Sequence, residues 1–227
     1  MAEPITTLTD YAIALECLLF AAWLLGQGWV ARLWAMAFIN VGGAAFLGGT
    51  LHGFAPQLVW EQRLWLWHGM VLALAIASLC ILVAVALSVH QRWRVGLLLL
   101  AIAKLALVLR LGTSSWAFAV SVADYLSALA TVLLVQLGQL NQQHRLSPKQ
   151  RPNPDLVWMA TGLATSGLAA SALLIPQSQA LPLSPLAVYH LVQMVALYCI
   201  YRSARATGQI KGRDRIGLER SRRRPRP

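Results

Sequence analysis

The chain has 227 residues, of which 58% are hydrophobic and only 12% are charged, and its mean hydropathy is +0.59. Soluble globular domains carry about 25% charged residues, so this composition excludes an ordinary soluble enzyme and indicates a membrane protein. The formal net charge is +11. Much of the excess lies between Arg202 and Arg226, and because no nucleic-acid-binding motif accompanies it, we expect no nucleic-acid partner.

Seven apolar runs follow one another along the chain, each about as long as the roughly 20 residues that cross a bilayer core. The breaks between them are short and are polar, basic or rich in proline. We therefore predict an all-α protein, a bundle of seven transmembrane helices. Residues 1–204 would form the membrane domain, and residues 205–227 a disordered basic tail. The predicted spans are 10–31, 33–53, 64–89, 95–111, 115–138, 156–175 and 185–203.

The basic residues predict the orientation of the bundle. Most of the 19 Lys and Arg residues fall on the side that holds the C-terminus, whereas Arg63 and Arg110 fall on the other side and Lys104 lies within a span. Positive charge marks the cytoplasmic side, so we expect the N-terminus outside and the C-terminus inside, in a bacterial inner (plasma) membrane. The basic tail would then lie against anionic lipid headgroups.

Three histidines lie within the predicted spans, near the outer level of the membrane. His52 ends the second span, His68 lies about one turn into the third, and His190 lies one to two turns into the seventh. Ionisable side chains inside a membrane are costly and usually face the bundle interior. Each histidine could form a hydrogen bond between helices, and His68 beside Trp67 also suits an interfacial anchor. Their shared depth favours a common role for the three, although spacing alone does not show that their faces converge.

Other polar and small residues predict helix packing. Lys104 and Asp124 lie on consecutive spans and have opposite charge, which predicts a buried ion pair. Gln193 lies one turn beyond His190 on the same face and predicts a hydrogen bond between helices. Four glycines of the second span would allow a close approach of helices, within the bundle or with a partner: Gly42, Gly43, Gly48 and Gly49.

Two motifs resemble a known superfamily. "GGTLHGF" ends the second span and "VYHLVQ" opens the seventh. With seven spans and a polar cluster on the N-terminal side, they make the chain similar to the CREST superfamily of membrane proteins. That superfamily includes the alkaline ceramidases and the progestin/adiponectin-type receptors, and the chain looks closest to an uncharacterised bacterial branch of it.

The resemblance implies a zinc ion held by one histidine of the second span and two of the seventh, the latter as HxxxH. His52 matches the first of these ligands and His190 the last, whereas Leu186 occupies the remaining histidine position. Gly48 stands where the family has a serine, and only Glu61 stands near the position of the family's aspartate.

From this resemblance we expect a Zn²⁺ site made by His52, His190 and His68, the last as a substitute ligand. Zinc with three protein ligands keeps one position for water and lowers the pKa of that water towards about 7. The hydroxide could attack the carbonyl of a lipid amide or ester, with Glu61 or Asp124 as the proton shuttle. The predicted function is a zinc-dependent, hydrolase-like membrane protein.

Two other interpretations stay open. Two histidines on different spans could bind a haem between them, as in membrane b-type cytochromes, and the small residues of the second span would make room for it. The bundle could also be non-catalytic, as a sensor or as an assembly factor for another membrane complex.

Overall fold

The computed structural model describes residues 1–112, 114, 116–146, 154–174 and 183–222. Its regular structure in these residues is helical, as the sequence predicts, with a short 3₁₀ turn at Ala55–Gln57. The seven α-helices of the described residues are α1 (Pro4–Leu25), α2 (Trp29–Phe54), α3 (Trp60–Ala86), α4 (Gln91–Leu111), α5 (Ala117–Leu146), α6 (Pro154–Ala172) and α7 (Pro185–Arg222).

Four helical segments are long and apolar enough to cross a membrane. They are Pro4–Leu25, Trp29–Gln57, Trp60–Ala86 and Ala117–Gln142. Large apolar side chains such as Leu15, Phe46 and Leu134 are more than half exposed on the outside of the bundle. Because exposed apolar surface of this extent suits contact with lipid rather than water, the fold is that of a membrane-type helical protein.

Local sequence sets several helix starts. Helices α1, α6 and α7 each begin with a proline, whose fixed φ suits the first helical position and whose missing N–H costs nothing there. Ser184 precedes α7, and its side-chain oxygen accepts the backbone N–H of Ala187 at 3.1 Å. That contact satisfies one of the N–H groups that the first helical turn leaves without a partner.

The boundary between α1 and α2 differs from the prediction. The sequence places the break at Arg32, but α1 ends at Leu25 and α2 begins at Trp29. The turn between them contains Gly28 at φ 109°, a conformation that other residues rarely adopt. Arg32 lies in the first turn of α2 and donates from Nε to the carbonyl of Leu25 at 3.3 Å. Its charge thus caps the end of α1 instead of interrupting a helix.

The last helix extends into the region of the predicted basic tail. Helix α7 continues to Arg222, past residue 205, where the sequence predicts that the tail begins. No proline occurs between Pro185 and Pro225, so nothing in that stretch removes a backbone donor from the helix. Residues 223–227 of the predicted tail lie outside the described residues.

Six of the seven helices of the described residues pack in a ring. Helix α1 packs on α2, α2 on α3, α3 on α5, α5 on α6 and α6 on α7, and α7 packs back on both α1 and α2. Helices α1, α3, α5 and α7 begin at one end of the bundle, which we call the mouth end. At the opposite end an aromatic cluster joins α1, α2 and α7, with the rings of Phe20 and Tyr201 stacked at 4.4 Å and Phe38 against both.

Helix α4 lies outside this order, against α3 and to a lesser extent α5. Only Ala101 and Val108 of α4 are buried, so apolar packing holds it weakly. Its polar attachment is Lys104, whose Nζ lies 2.9 Å from Oδ1 of Asp124 and donates to the backbone oxygen of Asp124 at 2.7 Å. The predicted ion pair between Lys104 and Asp124 is confirmed.

This ion pair generates a test of stability. Removing one partner of a buried pair leaves the other charge uncompensated and typically costs about 3–5 kcal/mol. We expect Lys104→Met to lower the free energy of unfolding by more than the double change with Asp124→Leu does. Denaturant unfolding in detergent measures this. A double variant destabilised by the full sum of the two single changes would show that the pair contributes no coupling energy.

Candidate functional site

Glycines of α2 let α1 approach it closely at the mouth end. A Cβ built on Gly49 would lie 2.8 Å from Cβ of Asp10, and one on Gly53 would lie 2.9 Å from the side chain of Thr7. On Gly42 it would lie 3.0 Å from Cβ of Cys17. Since these are backbone or short side-chain neighbours that cannot move far, larger residues would push the helices apart. Gly42 and Gly49 of the predicted glycine patches serve packing within the bundle, as Gly53 does, whereas a Cβ on Gly43 would have no neighbour within 4 Å among the described residues.

The close approach brings Asp10 of α1 to His190 of α7. Oδ1 of Asp10 lies 3.3 Å from Nε2 of His190, and each residue is only 5% exposed. The other ring nitrogen of His190, Nδ1, lies 3.0 Å from Oγ1 of Thr9. The imidazole is therefore held from both sides by consecutive residues of α1.

The hydroxyl of Thr9 also donates to the backbone oxygen of Thr6 at 2.9 Å. In the tautomer of His190 that carries a proton on Nδ1, this nitrogen donates to the oxygen of Thr9. Nε2 then either accepts from a protonated Asp10 or, in the imidazolium form, donates to the carboxylate. Both arrangements leave the pair neutral overall, and in both Oδ2 of Asp10 is a hydrogen-bond acceptor.

Oδ2 of Asp10 is buried and has no hydrogen-bond partner among the described residues. A Cβ built on Gly48 would lie 3.7 Å from this oxygen, so the absence of a side chain at Gly48 leaves the space beside it open. Buried polar atoms are nearly always satisfied in folded proteins. An orphaned acceptor of this kind marks a place where a donor from outside the chain can bind.

Asp10 and His190 line a cavity of about 340 Å³. Helices α1, α2, α3, α5 and α7 contribute to its wall, which is mainly apolar and includes Leu51, Trp67 and Phe118 near the mouth. The polar groups on the wall are few. They belong to Asp10, His52, Tyr125, Tyr189, His190 and Gln193.

Two further predicted residues lie on this wall. His52 is half-buried, and its Nδ1 lies 3.3 Å from Oε2 of Glu3 at the start of the chain. Gln193 donates from Nε2 to Oγ of Ser166 on α6 at 3.3 Å, which confirms the predicted hydrogen bond between helices. His52 and His190 thus both line this cavity.

The other predicted site residues lie elsewhere among the described residues. His68 is half-buried on α3 but does not line the cavity, and Glu61 is exposed in the first turn of α3. Asp124 is buried in its ion pair with Lys104, again away from the cavity wall. Helix geometry explains the difference, because a shared depth in the membrane does not set which face of a helix a residue occupies.

The zinc site implied by the resemblance can be compared with these positions. A catalytic zinc takes three protein ligands, and the described residues contain no group of three or more His, Cys, Asp or Glu side chains placed to hold a metal. Both ring nitrogens of His190 already have partners. As arranged, this donor set does not fit zinc, and zinc remains a prediction that rests on the resemblance.

Sequence reasoning missed the two residues of α1 that hold His190. Asp10 lies at the predicted outer edge of the first span. A carboxylate can be exposed to water there without an energetic cost, so its position alone did not indicate a functional role. The available signal was its depth, since Asp10 on α1 and His190 on α7 both lie about two turns from the starts of parallel helices. Thr9 carried no signal beyond its place beside Asp10.

Comparisons with curated proteins and with solved structures found no match. Residues 5–209 match DUF6962, described as a family of unknown function. The match covers α1 to α6 and the part of α7 that lies in the bundle, including every residue of the cavity wall. The chain therefore belongs to the DUF6962 family.

Proposed function

We propose that this protein binds a small, mostly apolar molecule that carries a hydrogen-bond donor, in the cavity at the mouth end of the bundle. The observation that supports this is Oδ2 of Asp10, a buried oxygen without a hydrogen-bond partner among the described residues, in a side chain that lines a mainly apolar cavity. Ligand sites in proteins are typically concavities of about 300–1,000 Å³ with apolar walls and a few placed polar groups. The cavity of about 340 Å³ agrees with that description.

The surroundings of Asp10 prepare it for a neutral donor. His190 fixes the carboxyl group through Oδ1, and Thr9 fixes the ring of His190. Because Asp10 and His190 together carry no net charge, a hydroxyl or amide N–H of the ligand suffices to satisfy Oδ2. A charged ligand, which would have to lose its hydration shell on entering the cavity, is not needed. Such a protein would act as a sensor or carrier of a lipid-like molecule.

The proposed hydrogen-bond donor of the ligand can be tested directly on the protein in a sterol-based detergent. Dodecanol, which has a hydroxyl donor, and its methyl ether, which has none, are the probes. We expect the alcohol to raise the Tm at a concentration at least about fivefold lower than the ether, since a buried acceptor left unsatisfied costs about 1–3 kcal/mol. Asp10→Leu should abolish this difference. Asp10→Asn should keep it, because its NH₂ can donate to Nε2 of His190 while its carbonyl faces the cavity. An unchanged preference in Asp10→Leu would place the donor site elsewhere.

Hydrolysis of a lipid amide or ester is the second candidate function. It is favoured by the contact of an imidazole with a carboxyl group on the wall of a cavity, since this pair can take up and return a proton. In this case His190 would be the general base for a water molecule, and Asp10 would hold the ring in place. Glu61 and Asp124 have no part in this proposal, because neither lines the cavity.

This candidate predicts release of fatty acid from a long-chain N-acyl or O-acyl substrate. Activity should be lost in His190→Phe and kept in Glu61→Gln. If Glu61→Gln is the inactive variant, the proton shuttle predicted from the resemblance is the better account. The zinc content of the purified protein and its absorption spectrum test the metal and haem predictions on the same sample.

We further propose that all seven helices cross the bacterial plasma membrane, with the mouth end outside. Three arginines at the opposite end lie over tryptophan rings: Arg32 over Trp29, Arg92 over Trp93 and Arg202 over Trp158. Trp60, Trp65 and Trp116 are more than two-thirds exposed at the mouth end. Tryptophans at both ends suit the two membrane interfaces, and arginines at one end suit the cytoplasmic side. Basic residues of the last segment would then lie near anionic headgroups.

Reporter fusions test this topology. Fusions after Arg151 and after Pro227 should report the cytoplasm, and a fusion after Val59 should report the outside. A cytoplasmic signal after Val59, or an external one after Arg151, would contradict the arrangement.

A further inference from the structure

A second and much smaller cavity lies among α3, α5, α6 and α7. Its volume is about 30 Å³. A cavity holds a water molecule once it offers at least about 10–15 Å³ and a few polar partners, so this one has room for water and is too small for a lipid-like ligand. Its wall consists of the aliphatic residues Leu74, Val122, Leu126 and Ala170 and the polar residues Tyr125, Ser166, Tyr189 and Gln193.

The polar side chains of this wall come from three different helices. Tyr125 lies on α5, Ser166 on α6, and Tyr189 and Gln193 on α7. Ser166 is 2% exposed, and Tyr125 and Gln193 are each 8% exposed. The small cavity is therefore a place inside the bundle where polar groups of α5, α6 and α7 meet.

Much of the hydrogen-bonding capacity of these side chains is unused within the described residues. Gln193 donates from Nε2 to Oγ of Ser166 at 3.3 Å. The amide oxygen of Gln193 accepts no hydrogen bond from a described residue, and the hydroxyl of Ser166 donates none. The phenol hydroxyls of Tyr125 and Tyr189 also have no hydrogen bond to a described residue. Because buried polar groups, phenol hydroxyls among them, normally have partners, these four groups together require one.

We infer that the small cavity binds a water molecule, which joins α5 to α6 and α7. Water suits the site because it both donates and accepts: it accepts from the hydroxyl of Ser166 and donates to the amide oxygen of Gln193. The phenol hydroxyls of Tyr125 and Tyr189 complete its shell, since each can donate or accept. Buried water molecules typically make about three hydrogen bonds. The wall contains no charged residue, so a neutral ligand is favoured over an ion.

This water site stands independently of the proposed function, because it rests on other atoms. It nevertheless affects the larger cavity, since Tyr125, Tyr189 and Gln193 line both. A water molecule bound between these side chains fixes the polar part of the wall that the two cavities share.

A double-variant cycle detects the water by the coupling that it creates. Tyr125 and Ser166 lie on different helices and form no hydrogen bond with each other. We expect Tyr125→Phe and Ser166→Ala each to lower the Tm in detergent. The double variant should lower it by clearly less than the sum of the two losses, because both changes remove a hydrogen bond to the same molecule. Additive losses would overturn the inference.

The control is Tyr11→Phe, the same change at a tyrosine that lines neither cavity. The hydroxyl of Tyr11 lies 3.2 Å from Oγ1 of Thr50 on α2. Its loss of Tm should add to that of Ser166→Ala, since the two sites share no partner.

A high-resolution crystal structure of the full chain shows the occupant directly. We expect one density peak of the size of water, within hydrogen-bond distance of the amide oxygen of Gln193 and of the hydroxyls of Tyr125 and Ser166. Ala170→Val, which fills part of the cavity, should remove both the peak and the coupling, whereas Ala164→Val at an exposed position of α6 should keep both. Coupling without a peak would indicate direct contact of the side chains and overturn the inference. Density that continues into the larger cavity as one molecule would do so too, in favour of a ligand.

Discussion

The close contact between α1 and α2 is the constraint on which the mouth end of the bundle depends. Gly49 and Gly53 allow the backbone of α2 to lie against Asp10 and Thr7 with no side chain between them. This places Asp10 within reach of His190 on α7 and among the residues that line the cavity. In a membrane, where helices gain little from the hydrophobic effect between them, small residues and interhelical hydrogen bonds supply the association. Here both operate at the same place.

Among the described residues, two buried acid–base pairs have different structural consequences. Lys104 and Asp124 contact each other and attach the weakly packed α4 to α5. Asp10 and His190 contact each other through Oδ1 of the carboxyl group, and Oδ2 of Asp10 has no hydrogen-bond partner among the described residues. The first pair stabilises helix packing. A pair with one acceptor left over, on the wall of a cavity, can also recognise a ligand.

The proposed ligand site and the hydrolase candidate share the same residues but require different things of them. Ligand binding needs Asp10 as an acceptor, with His190 and Thr9 as its supports. Hydrolysis needs His190 to exchange a proton with a water molecule. Thr9 contacts one ring nitrogen of His190 and Asp10 contacts the other, so little room is left for that water molecule. This difference is why the cavity supports binding more strongly than chemistry.

Much of the fold could be predicted from the order of residues alone, because hydrophobic length is a local property. The helical class, the seven helices of the described residues and the pairing of Lys104 with Asp124 on neighbouring helices all follow from composition and spacing. The break at Arg32 was wrong for a local reason, since the charge drew more attention than Gly28, the residue whose positive φ makes the turn. His52, His190 and Gln193 were placed on the cavity wall by depth and by shared helix face.

Tertiary structure decided what those residues contact. Sequence spacing gives the depth of a side chain in the membrane, but the direction in which it points depends on how each helix is rotated against its neighbours. Rotation puts His68 and Glu61 off the cavity and Asp124 into an ion pair. It also brings Thr9 and Asp10 of α1 to His190, some 180 residues away along the chain. The sequence by itself determined the helices and their polar residues. Only the packing of α1 against α2 and α7 determined that Oδ2 of Asp10 has no hydrogen-bond partner among the described residues.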